Sequence, residues 1–382
     1  MSTAFFNAKK HGKIENKIIK ERPRSQYARK ALMKIGMIYY NNDENDKALE
    51  KLKAIVAQYP NTEESREALN IISNIYRDNN EIQAYFDYIE KNNLAEISIN
   101  KQDSLTFRNI EDFYSSKKYQ QAIKGAKQYI ENYPNGAYLL DVHYYAMSSM
   151  ELTNETEGIR THIEYIINQS DNDHTDNALL LIARMDYDES SYSSSAEYYE
   201  RLLNITENQH IIMEAIEGCM KSYYFDKQYD KAIEKANQLI GMQDINTNQK
   251  KQANYILGKS FFDKKDYVEA IKYFDVCSNI DNTETGAECA YLSTICLYST
   301  KQYDDAEEKV FFVSDKFSNH ISWTARSFIV LSDVYVAKGN IFQAKETLKS
   351  VIENYPESEV NYKEIVGKAQ EKLNIIDKTS NE

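Results

Sequence analysis

Apolar residues along this chain recur at helical spacing in short blocks broken by polar turns. Residues 255–277 show the pattern best. Tyr255, Leu257, Gly258, Phe261 and Phe262 share one helix, Asp263-Lys264-Lys265-Asp266 forms a turn, and Tyr267, Ala270, Ile271, Phe274 and Cys277 line a second helix. The turn returns as Lys117-Lys118-Tyr119, Lys227-Gln228-Tyr229 and Lys301-Gln302-Tyr303, with a tyrosine placed to anchor the second helix on the first. The pattern therefore predicts helix pairs.

The prolines fix the period. Pro23, Pro60, Pro134 and Pro356 are separated by 37, 74 and 222 residues, all multiples of 37. Proline is tolerated between helices and disfavoured inside them, so a constant phase marks a recurring boundary. Three of the four follow a tyrosine (Tyr59, Tyr133, Tyr355). Twelve residues before each boundary slot stand Ala48, Ala122, Gly158, Ser195, Ala232, Ala270, Ala306 and Ala344, with the bulky Tyr85 as the exception in the second unit. That register gives nine units between residues 25 and 360.

Leu257, Gly258, Phe261, Ala270 and Phe274 stand at the spacings of the tetratricopeptide repeat, as do Gly36, Tyr39, Ala48 and Pro60, and Leu331, Tyr335, Ala344, Leu348 and Pro356. The chain thus resembles that family. The resemblance implies an all-α, right-handed superhelical solenoid of about nine helix pairs. A period near 37 and the Tyr-Pro boundaries resemble a sub-type found in bacterial cell-envelope proteins, the outer-membrane assembly lipoprotein and the Tol-Pal coordinator.

Three segments are expected: a partial or degenerate repeat over 1–24, nine repeats over 25–360, and a capping helix and tail over 361–382. In the first, Asn16 to Lys20 would be a second helix without its partner, as if the chain began mid-array. In the last, Tyr362, Ile365, Val366, Ala369, Leu373 and Ile376 form one stripe that can close the open end of the array. The polar stretch Asn92 to Ser104 is the least regular and predicts a bend.

Charge narrows the function. A net charge of −13 argues against general attraction to nucleic acid, although residues 1–60 hold 13 Lys and Arg against 6 Asp and Glu. No apolar run approaches a membrane span. Four cysteines, Cys219, Cys277, Cys289 and Cys296, suit buried apolar roles and not a disulfide framework. The six histidines are scattered and no metal or catalytic constellation is visible, so neither a cofactor nor an enzyme is expected.

What remains is a surface. In the family the first helices line a concave side, and its two outward rows map here onto Tyr40, Arg77, Tyr114, Met150, Tyr187, Tyr224, Phe262, Tyr298 and Val336, and onto Met33, Asn70, Phe107, His143, Leu180, Glu217, Tyr255, Tyr291 and Ile329. Six of the nine in the first row are aromatic. The expected function is a non-catalytic scaffold whose groove, lined by Tyr40, Tyr114, Tyr187, Tyr224, Phe262, Tyr298, Tyr255 and Tyr291, takes a protein or peptide partner. The alternative is a segment of a larger envelope assembly factor acting through its lateral surfaces. The compartment is left open between periplasm and cytoplasm.

Overall fold

The computed structural model describes residues 20–21, 25–170 and 172–380; most of the expected partial repeat at 1–24 lies outside them. Among the described residues there are 19 helices and no strand. They fall into two compact units that divide after residue 170.

The first unit runs α1 (Gln26–Asn41), α2 (Asn45–Gln58), α3 (Glu63–Asp78), α4 (Ile82–Lys91), α5 (Ile99–Ser115), α6 (Tyr119–Asn132), α7 (Leu139–Leu152) and α8 (Ile159–Ile167). The second continues with α9 (Thr175–Asp188), α10 (Tyr192–Ile205), α11 (Gln209–Phe225), α12 (Tyr229–Gly241), α13 (Thr247–Asp263) and α14 (Tyr267–Ile280). It ends with α15 (Glu284–Ser299), α16 (Tyr303–Lys316), α17 (Ile321–Ala337), α18 (Ile341–Asn354) and α19 (Tyr362–Ser380). Odd- and even-numbered helices up to α18 are the first and second members of nine pairs.

One local device sets every pair. The turn between partners carries a left-handed residue at Asp43, Asn80, Lys117, Asn154, Ser190, Lys227, Lys265, Lys301 and Gly339, with φ between 55° and 78°. The next amide then reaches back to the last turn of the first helix, as in Lys118 N to Phe113 O at 2.8 Å and Gln228 N to Tyr223 O at 2.8 Å. This bond satisfies a carbonyl that the helix end would leave bare and reverses the chain in three residues.

Small residues then admit close approach. Ala48, Ala122, Ala232, Ala270, Ala306 and Ala344 have no exposed surface, and Ser195 Oγ donates to Ala183 O at 2.8 Å in its partner helix. Tyr59, Tyr133 and Tyr355 cap α2, α6 and α18 in non-helical conformations, which the following proline favours. The α19 stripe packs as expected, with Ile365, Ala369 and Leu373 buried against Leu348 and Val351 of α18.

Two expectations need correction. Gly158 is not a packing residue inside a helix; at φ 83° it precedes α8, whose buried side is Ile159, Ile163 and Ile166. The fourth unit is therefore one residue out of the assumed register. Only part of the stretch from Asn92 to Ser104 is irregular, because α5 already begins at Ile99. In the second unit of the repeat the bulky exception Tyr85 is half-buried, tilted by 44° against Tyr76 at 6.4 Å, and α4 buries Ile82, Phe86 and Ile89.

Candidate functional site

Within the second compact unit, the first helices α9, α11, α13, α15 and α17 touch their successors, while the second helices do not pack on one another to a similar extent. These first helices carry Tyr187, Tyr224, Tyr255, Phe262, Tyr291 and Tyr298 of the predicted rows.

The predicted aromatic positions are all half-buried, with neither row fully in water nor fully in core. Five of these rings pack across the turn onto the tyrosine that opens the next helix. The pairs are Tyr114 with Tyr119 at 5.9 Å, Tyr187 with Tyr192 at 5.4 Å, Tyr224 with Tyr229 at 5.9 Å, Phe262 with Tyr267 at 5.6 Å, and Tyr298 with Tyr303 at 6.0 Å. The rings meet edge to face at Tyr114, Tyr187 and Phe262, with interplanar angles of 60° to 66°, and are tilted at 47° and 48° at Tyr224 and Tyr298. Tyr40 sits on the core of the first two pairs, outside this series.

The hydroxyls tie one pair to the next. Tyr114 Oη and Ser148 Oγ lie 2.9 Å apart, Tyr224 Oη donates to Asp263 at 3.0 Å, and Tyr255 Oη donates to Glu288 at 3.1 Å. Burial, then the facing carboxylate, pushes the Tyr224 and Tyr255 phenols well above the usual range, so both stay protonated donors. Tyr291 rests on Trp323 at 5.5 Å. The rings are thus held in place before any ligand arrives.

Charges between the rows are mutually paired. Arg184 bonds Glu214, Lys221 bonds Glu217 at 2.7 Å, and Lys259 lies 3.6 Å from Glu288. The face is therefore aromatic with neutralised polar borders.

Two recesses interrupt it. One of about 460 Å³ is lined by Tyr187, Tyr199, Met213, Glu217, Gly218 and Lys221. The other, about 290 Å³, lies among Tyr291, Tyr298, Ile295, Ile329, Lys368 and Lys372. Tyr199 was not foreseen: it belongs to second helix α10 and reaches this face only because Gly218 has no side chain, where a Cβ would lie 2.3 Å from the ring. The mid-helix glycine was the one signal available.

The register slip moves two assigned positions off the face. Met150 and His143 are buried, at 4% and 5% exposure, and the turn places Glu151 and Tyr144 at the equivalent sites. Met33, Leu180 and Ile329 are buried as well. Among the described residues no cluster of His, Cys, Asp or Glu could hold a metal, and no helix is long and apolar enough to cross a membrane.

A family model for the tetratricopeptide repeat matches residues 30–62 and 331–358, the first and last helix pairs. Those two pairs match the tetratricopeptide repeat model. A second model, described as anaphase-promoting complex, cyclosome, subunit 3, matches residues 226–313 inside the array. None of these matches bears on a cell-envelope sub-type. No curated protein matches the chain.

Several similar solved structures are described as tetratricopeptide proteins. The C-terminal part of such a protein from Cytophaga hutchinsonii is 12% identical, covers 69% of this chain and 98% of its own, and has a TM-score of 0.48. One from Parabacteroides merdae is 11% identical over 70% of this chain and 98% of its own, with a TM-score of 0.39. YrrB, described as having an unusual peptide-binding site, is 17% identical over 56% of this chain and 98% of its own, with a TM-score of 0.41.

Proposed function

We propose that this chain is a non-catalytic scaffold that binds a protein or peptide through the tyrosine-lined face of its first helices. The observation that carries the reading is the series of half-buried rings, each braced by a second ring or by a hydrogen bond from the next pair. A ring so held contributes contact area without losing rotamer freedom on binding, and its hydroxyl tolerates water. Pure core rings would be fully covered, as Phe274 and Phe317 are at 0% and 1%. The regular spacing suits an extended segment or one helix laid along the face.

The test is affinity capture from native cell extract with the wild type beside a Tyr224→Ala/Phe262→Ala variant that circular dichroism shows to be folded. The expected result is loss of a specific partner from the variant. Identical partners on both would remove this face from consideration.

A further inference from the structure

The sequence gives no reason to pair any cysteines, yet the fold brings two together. Cys277 on α14 and Cys289 on α15 are both fully buried, and their Sγ atoms lie 2.7 Å apart. Non-bonded heavy atoms settle at about 3.5–4.0 Å, while a disulfide bond is about 2.05 Å. The two sulfurs therefore sit most of the way from contact to bond. The approach is possible because α14 and α15 face each other through small side chains. Ser278 and Ser293 have no exposed surface, and at Gly286 an added Cβ would lie 2.3 Å from Asp281 O.

We infer that Cys277 and Cys289 form a redox-dependent disulfide that staples the second helix of the seventh pair to the first helix of the eighth. The junction matters because the same core, with Ala270, Phe274 and Cys296, supports Tyr255, Phe262 and Tyr291 from beneath. The inference does not depend on what binds that face.

The oxidant class is a low-molecular-weight disulfide such as glutathione disulfide. One thiolate attacks it, releasing a glutathione thiolate and leaving a mixed disulfide; the second cysteine then displaces the other glutathione. Overall two thiols lose two protons and two electrons, and one glutathione disulfide becomes two glutathione thiols. Burial raises the Cys289 thiol far above its ordinary value and excludes reagent, so the bond forms during folding or on opening of this junction, and resists reduction once closed.

The full-length protein, unfolded under reducing conditions, is refolded in glutathione disulfide; thiols are counted in denaturant and peptides mapped without reductant. Four thiols should fall to two, with a Cys277–Cys289 linked peptide, and the melting temperature should rise by about 5 °C or more over the reduced form. A Cys219→Ala/Cys296→Ala variant should behave in the same way, and if it does not fold the wild-type map decides. Cys289→Ala should lose the reductant-dependent shift. Four remaining thiols, a link involving Cys219 or Cys296, or a bond without any rise in melting temperature would overturn the staple.

Discussion

His143 and His162 meet across α7 and α8 with their Nδ1 atoms 3.0 Å apart, and Tyr165 stacks on His143 at 3.8 Å. One imidazole donates and the other accepts, which requires the accepting ring to be neutral and forbids both from being protonated at once. Burial, then the neighbouring ring, lowers His143 to about 4, and burial lowers His162. In the unfolded chain both return to about 6.5, so between these values the unfolded state binds more protons. Stability is therefore complete above pH 6.5 and falls as pH drops toward 4. For His143 alone the loss is at most about 3 kcal/mol. Melting at pH 7.5 and 5.5 should show a drop that His143→Gln reduces; equal slopes in both proteins would refute the assignment.

At the scale of the element, the repeated turn carries its own test. Eight of the nine left-handed positions hold a residue with a side chain, and four of those are lysine. Such a residue costs about 1–2 kcal/mol relative to glycine in this conformation, offset in part by the greater freedom glycine has when unfolded. Lys227→Gly should thus stabilise by about 0.5–1 kcal/mol, read from denaturant unfolding. A loss of stability would mean that the Lys227 side chain makes a contact worth more than the backbone relief. The lysines sit beside the tyrosines that open α6, α12, α14 and α16, which explains how one short motif could mark so many turns.

At the scale of the whole molecule, stability in a repeat array is a sum over units and their neighbours, so compact segments can stand alone. The described residues divide into two such segments, and the second carries its own closing helix, α19. A fragment spanning 172–382 is expected to show helical circular dichroism and a cooperative melt. A disordered fragment would show that it draws essential stability from the rest of the chain.

The helix pairs, their period and the closing stripe of α19 were legible in the sequence because they rest on local chemistry repeated many times. Proline is disfavoured inside a helix, small residues are favoured where helices cross closely, and a single 37-residue phase averages out the weak signal of each unit. The phase of the first helices was legible for the same reason, except in the fourth unit, where the missing residue falls after the turn and leaves Met150 and His143 inside. Tertiary structure alone decided which second-helix side chains cross between first helices, as Tyr199 does beside Gly218, and which distant sulfurs meet, as Cys277 and Cys289 do. Those outcomes depend on helix separations of a few ångströms, which arise from the summed volumes of many neighbours and are written in no single stretch of sequence.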